Sequence, residues 1–303
     1  MNLLFRSPTS AALRLLLVVA LMPGVLATAA AQAPDAAALK TRHSEMRERL
    51  ANSSFGRPIH LESAELSGAL QGNVYAVMEH PFAMVQQALR PADHWCDLLM
   101  LHLNVKGCRS SGAGGDSSRL FLSVGKKHDQ PLEEAYKLEF AYRLAAASAD
   151  HLQIQLTADQ GPLGTHDYRI RLEAIPIDGR RTFLHMSYSY SYGFAARMAM
   201  QAYLATLGRD KVGFSFHGRK PNGEPAFIGG VLGVVERNTM RYFLAIESYL
   251  GAYSLPPAQQ PEKRIQAWYD ATQRYAAQLH EMERADYLEM KRSEIRRQKA
   301  GPK

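Results

Sequence analysis

Cysteine and tryptophan are scarce in this chain, with two of each among 303 residues. A disulfide-dense miniprotein is therefore excluded. Charge is modest at 21% against 46% hydrophobic residues, which excludes global disorder. With 22 glycines and 15 prolines the composition is not collagen-like. No stretch approaches the ~18 consecutive apolar residues of a membrane-spanning helix, which argues against an integral membrane protein. Several catalytic signatures are missing too. There is no Gly-x-Ser-x-Gly nucleophile elbow. The glycines at 112, 114 and 115 lack the downstream Lys-Ser/Thr of a phosphate loop, and they precede an apolar alternation.

What is present begins with a leader. Residues 1–31 hold Arg6 and Arg14 and no acidic residue, then an unbroken apolar run from Leu15 to Met22. Pro23-Gly24 interrupts it, and small residues follow through Ala31. That pattern reads as a secretory signal peptide cleaved after Ala31, so that the mature chain starts at Gln32. The alternative is an uncleaved amphipathic anchor. No cysteine lies near the cut, so a lipoprotein is not indicated, and the expected address is the periplasm. Losing Arg6 and Arg14 takes the 36 basic residues to 34 against 29 acidic ones, a charge of +5. Such a balance does not argue for nucleic acid. The densest basic cluster is Lys291, Arg292, Arg296, Arg297 and Lys299. It reads as a solvated helix end, or else as a peripheral contact with anionic lipid headgroups or an envelope complex.

Export into an oxidising compartment permits Cys96 and Cys108 to pair. The bridge would close a loop of about a dozen residues. Two buried free thiols are the rival reading; a redox pair lacks the C-x-x-C spacing.

Along the mature chain, residues 32–63 read as an N-terminal helical segment, with a helix from Ala37 to Leu50 broken by Asn52 to Pro58. From Glu65 to Met78 the residues Leu66, Leu70, Val74, Ala76 and Met78 share one face of a strand, with Gly68 and Gly72 marking a bend. Two short helices follow, around Phe82–Leu89 and Pro91–Met100, and then a loop at 110–118. A run of alternating strands comes next, around 120–124, 138–144, 152–156, 168–174 and 184–192. Asp178-Gly179 supplies a hairpin turn. This is an antiparallel meander whose single apolar face demands one covering layer. A helix from Phe194 to Leu207, a hairpin at Asn222-Gly223 and a long helix from Val231 to Leu250 complete a domain over 64–252. Residues 253–303 form an extension, read as one helix from Glu262 to Lys299. Its apolar seam fades after Met282, so the rest reads as a solvated tail.

A strand, two short helices, a curved meander and a long helix follow the order of the helix-grip fold. The chain resembles the START-like superfamily, which includes lipid-transfer proteins, polyketide cyclases and the Bet v 1 allergens. More narrowly, Trp95-Cys96-Asp97, the run Leu101 to Lys106, Tyr203-Leu204-Ala205-Thr206 and the run Glu236 to Tyr242 resemble exported, uncharacterised proteobacterial proteins of that type. The resemblance covers about Ala64 to Gly251. It implies an α+β fold with a cavity between the concave sheet and the long helix, and an apolar ligand there. Two departures put the pocket's shape in question: the helix at 194–207 and the charged helix after the grip helix.

On that basis the expected lining is Phe140, Tyr168, Met186, Tyr188 and Tyr190 from the sheet, with Tyr242 and Ile246 from the helix. Aromatic rings give apolar area, and tyrosine keeps a hydroxyl for a polar ligand group; ordinary sheet packing is the alternative. Glu236, Arg237 and Arg241 sit in an otherwise apolar helix, where charge must be paired or solvated. They read as a surface stripe or as ion pairs with Arg169, Arg171 or Glu173. The other reading puts Arg237 and Arg241 on an anionic headgroup at the pocket mouth. His94, Asp97 and His102 match no metal-ligand spacing, and His185 reads as an exposed or satisfied histidine. No catalytic residue, metal or cofactor is assigned. The leading expectation is a periplasmic binding or transfer protein for a lipid or other hydrophobic small molecule. The alternatives are a cyclase, hydratase or hydrolase on the same scaffold, or an envelope interaction protein docking through its C-terminal helix.

Overall fold

The computed structural model describes residues 36–66, 68–111, 116–206 and 208–300. The expected signal peptide, its cleavage site at Ala31, Gln32 and the glycines at 112–115 lie outside the described residues. Alternation of apolar and polar residues produces one eight-stranded antiparallel sheet. Its strands are β1 (Ile59–Leu66), β2 (Ala69–Met78), β3 (Val105–Ser111), β4 (Ser117–Val124), β5 (Tyr136–Ala147), β6 (Leu152–Gln160), β7 (Thr165–Pro176) and β8 (Thr182–Tyr192). Their order is β1-β2-β8-β7-β6-β5-β4-β3, so β8 returns to pair with β2 while the meander runs outward to an edge at β3.

One face carries Leu70, Val74, Leu122, Phe140, Leu156, Leu172, Met186 and Tyr188, all buried. Over it lies the 23-residue helix α5 (Gly230–Ala252), which follows α1 (Ala36–Ala51), α2 (Phe82–Leu89), α3 (Ala92–Leu99) and α4 (Phe194–Ala205) in the chain. This is the helix-grip arrangement: β2, two short helices, six strands and a long helix closing on the sheet. On the opposite face Leu39, Met46 and Leu50 of α1 pack against Tyr75, Ile175 and Phe183. A small hairpin, β9 (Phe216–Arg219) with β10 (Pro225–Phe227), separates α4 from α5. After α5 come α6 (Gln260–Gln273), α7 (Ala276–Leu279) and α8 (Arg284–Lys299). Among the described residues no helix is long and apolar enough to cross a membrane.

Three expectations change. The strand read from Glu65 to Met78 is a hairpin: β1 begins at Ile59, within the stretch read as helical, and Leu66 pairs with Ala69. A further strand, β3, occupies Val105–Ser111. The single helix expected over Glu262–Lys299 is three, because the backbone leaves helical geometry at Tyr275 and again at His280.

The tail beyond Met282 is not solvated. Tyr287, Lys291 and Glu294 are fully buried. Tyr287 stacks on Trp268 with ring centroids 5.1 Å apart, and its hydroxyl donates to the Leu101 carbonyl at 2.9 Å. Lys291 donates to the carbonyls of His102 (2.7 Å) and Val105 (2.9 Å) and to Glu294 (2.8 Å). Lys106 of β3 reaches the same carboxylate at 3.1 Å. The solvated-tail reading fails because Tyr287, Leu288 and Met290 join the hydrophobic core, while the buried charges satisfy one another and the carbonyls after α3.

Candidate functional site

Strict alternation on β8 sends Met186, Tyr188 and Tyr190 to the concave face. The register sets Tyr188 between Gly72 of β2 and Ile170 of β7. Tyr168 enters beside them at the start of β7, where the ladder shifts between His166 and Arg169. A Cβ at Gly161 would fall 2.4 Å from the Tyr168 ring, so the absence of a side chain there makes room for it. From above, α5 contributes Tyr242.

The five aromatic residues of the expected lining form one connected group. Ring centroids lie 6.3 Å apart for Phe140–Tyr168, 5.3 Å for Tyr168–Tyr190, 5.6 Å for Tyr188–Tyr190 and 5.2 Å for Tyr188–Tyr242. Met186 and Ile246 are fully closed into the core. Tyr168 and Tyr242 are only half-buried, packed against that core.

The hydroxyls set this group apart from ordinary sheet packing. Tyr168 donates to Thr165 Oγ1 at 2.8 Å. Those of Tyr188, Tyr190 and Tyr242 have no hydrogen-bond partner among the described residues, and they are not among the polar atoms that the protein seals off without one. Each of the three still reaches open space. Burial pushes all three phenols above their ordinary range, Tyr188 the furthest. At neutral pH every one keeps its proton and can donate it.

His102 stacks on Tyr242 at 5.0 Å. Its Nδ1 accepts from the Asn104 amide at 3.2 Å, which puts the proton on Nε2. Burial first, and then the charges of Arg241 and Lys291, hold this imidazole well below its ordinary pKa, so it is uncharged. The three residues considered for a metal are committed separately: His94 Nδ1 to the Ala88 carbonyl at 2.8 Å, Asp97 to Arg264 at 2.7 Å, and His102 as described. His185 stacks on Tyr75 at 4.4 Å on the opposite face and lies 3.6 Å from Glu173.

Arg237 and Arg241 are buried and engaged. Arg237 donates to the Val212 carbonyl at 3.1 Å. Arg241 pairs with Glu281 at 2.7 Å, a carboxylate that also receives Lys127 at 2.8 Å. Glu236 accepts from the amides of Phe214 (2.6 Å) and Ser215 (2.9 Å) and from Ser63 Oγ (2.8 Å). These groups form no surface stripe, and none pairs with Arg169, Arg171 or Glu173. They bind the segment before β9, and the 280–283 turn, to the grip helix. The Cys96–Cys108 disulfide is formed and ties α3 to edge strand β3.

A concavity that sequence reasoning missed is a groove of about 1740 Å³ between β3–β6 and the end of α8, lined by Arg109, Phe121, Thr157, Asp159 and Arg296 among others. Nothing in its local sequence marks it, because sheet curvature and a distant helix create it. It is open and partly occupied by its own ion pair, Arg119 with Glu139. The tyrosine group, whose three hydroxyls reach open space without a partner among the described residues, is the stronger candidate.

Neither a family model nor a curated protein matches the chain. Solved structures similar to it include the protein TTHA0849 from Thermus thermophilus, at 11% identity and a TM-score of 0.40, covering 61% of this chain and 99% of that one. Human StAR-related lipid transfer protein 5 is similar at 11% identity and 0.32, covering 56% and 89%. Norcoclaurine synthase from Thalictrum flavum follows at 12% and 0.31, covering 46% and 85%. Likeness at these values lends nothing to the reading of the site. The topology itself defines the fold, an α+β helix-grip arrangement.

Proposed function

We propose that this chain is an exported binding or transfer protein for an apolar small molecule, held between the concave sheet face and α5. The observation that carries the reading is the set of three tyrosine hydroxyls, Tyr188, Tyr190 and Tyr242, on adjacent rings between the sheet and α5 and without a hydrogen-bond partner among the described residues. A donor that reaches open space is free to meet an acceptor on a bound molecule. An apolar wall with a few placed polar groups is the usual composition of a ligand site. Residues 1–31 support export, and a formed disulfide suits an oxidising compartment such as the periplasm.

Native mass spectrometry of the protein recovered from the periplasm tests both parts. The expected species starts at Gln32 and carries a non-covalent organic adduct that denaturation releases. Tyr188→Asp, which puts a charge among the rings, should abolish the adduct while the protein still folds by circular dichroism. A bare protein that also binds no apolar probe overturns the reading.

A further inference from the structure

Away from the tyrosine group, the eight-stranded sheet ends at β3, and α8 covers only part of that edge. Arg297 donates to the Lys106 carbonyl at 3.0 Å, and the Cys108 amide donates to Gln298 Oε1 at 2.9 Å. The helix then stops at Lys299. Because the Cys108 amide points away from β4, alternation turns the Cys108 carbonyl and both backbone groups of Ser110 outward as well. Those three groups have no hydrogen-bond partner among the described residues. An edge in that state is a template for another strand.

Beside this edge lies the groove of about 1740 Å³, larger than the ~300–1,000 Å³ of a small-molecule pocket. Its charges are unevenly matched. Arg119 is paired with Glu139. Arg109, Lys137, Arg296 and Arg297 also line it and reach no carboxylate among the described residues, while Glu133 and Asp159 reach no cation. Lys137 donates to Ser123 Oγ at 3.1 Å and Arg297 to a carbonyl, neutral acceptors that leave both charges uncompensated. Arg109, Arg296 and Arg297 stand on the β3–α8 side, whereas Asp159 lies on β6, three strands away. The Arg109 guanidinium sits 5.5 Å from the Phe121 ring centroid, which holds it over the floor of the groove.

We propose that this groove docks an extended, acidic segment of a partner protein, added to the free edge of β3 with its carboxylates toward Arg109 and Arg296. A strand edge is matched by the alternating N–H and C=O groups of another polypeptide, which favours a peptide over an anionic lipid surface. The arginine excess selects acidic side chains. The same excess disfavours a second copy of this chain, since pairing β3 with itself brings Arg109 and Arg296 toward their own counterparts.

A randomised octapeptide library passed over the immobilised mature protein tests this. The retained peptides should be enriched in Asp and Glu, and the tightest of them should weaken as salt is raised, read by fluorescence anisotropy. N-methylating one alternate set of its backbone amides should weaken it roughly tenfold, the worth of one or two hydrogen bonds, and methylating the other set should not. Arg109→Glu and Arg296→Glu should each weaken binding by a similar factor. Both side chains are exposed, so the denaturation midpoint should stay unchanged. A library that yields no binder, or only neutral and basic ones, overturns the proposal. So does an acidic peptide that tolerates both methylated sets or ignores both arginine variants. Binding to phosphatidylglycerol vesicles with no peptide retained also overturns it and makes the arginines a lipid contact. Each of these outcomes leaves the reading of the tyrosine group untouched.

Discussion

A Cβ on Gly72 would lie 2.1 Å from Thr239 Oγ1, so strand β2 and helix α5 meet where β2 has no side chain to offer. One turn earlier on α5, Glu236 takes the Ser63 hydroxyl of β1, the residue paired with Gly72. These two contacts set how closely the grip helix approaches the sheet. They also fix the height of Tyr242 above Tyr188.

Gly72→Ala should therefore destabilise the fold by about 1–3 kcal/mol through overpacking. Thr239 Oγ1 bonds only within its own helix, to the Val235 carbonyl, so Thr239→Ala alone should cost little. The double variant should recover part of the loss, since the Thr239 Cβ stands at 3.1 Å from the added carbon. Urea midpoints for the four proteins give the coupling. Additive losses would show that the two residues do not constrain each other.

The strands carrying the tyrosines were legible because each has one apolar face, and period-2 alternation reports that directly. Two edges of the same sheet were not. In β1 the apolar signal stops after Leu61, where Glu62, Ser63 and Glu65 take over. In β3 the buried residues include Lys106, whose charge breaks the pattern. The counter-charge of that buried lysine is Glu294, 188 residues further on. The same pairing concealed the docking of α8. Within the site, the sequence identified which rings share a face. It could not show which hydroxyls go unpartnered, because that depends on what the opposite layer brings within reach. The partner of Arg241 was missed for a related reason: Glu281 sits in a turn that exists only because the C-terminal helix breaks.

Burial acts to raise the Glu281 carboxyl, but Arg241, then Lys127 and Lys211, outweigh it and hold it below its ordinary value of 4.5. A carboxylate depressed on folding contributes stability above its unfolded value and loses it as pH falls through the folded one. The wild type should weaken in denaturant as pH drops below about 4.5. Glu281→Gln strands Arg241 in the interior and should cost about 3–5 kcal/mol at pH 7. Its stability should then depend less on pH over the acid range. Equal acid slopes for the two proteins would show that Glu281 is not the titrating group.

With a separation of 12 residues, the Cys96–Cys108 bridge closes a short loop. In the chain-entropy model such a loop is worth about 3 kcal/mol. Thiol counting on denatured, unreduced protein should find no free cysteine. Replacing both cysteines by serine should lower the denaturation midpoint by a corresponding amount with the fold retained, because α8 also holds β3 through Gln298 and the Cys108 amide. Two titratable thiols in exported protein would refute the bridge.

Lys291 gives the last prediction, and its sign is opposite to that of Glu281. Burial pulls this amine from 10.5 down to about 8, with Glu294 offsetting part of the cost. The folded state therefore gives up the proton more readily than the unfolded chain. Between about pH 8 and 10.5 the unfolded chain binds more protons, so the contribution of Lys291 to stability rises with pH across that window. Below it the penalty is constant, on the order of 3 kcal/mol. Lys291→Met removes the titrating group while Lys106 still holds Glu294. Other lysines and tyrosines titrate above about pH 9 in both proteins, so the quantity to follow is the wild-type-minus-variant difference in denaturation free energy. That difference should grow in favour of the wild type from about pH 8 to 10. Chymotryptic release of the segment after Met282, which reports undocking of α8, should slow in parallel for the wild type alone. A flat difference would mean that Lys291 keeps its ordinary pKa, and the helix would then be held by a fully charged cluster.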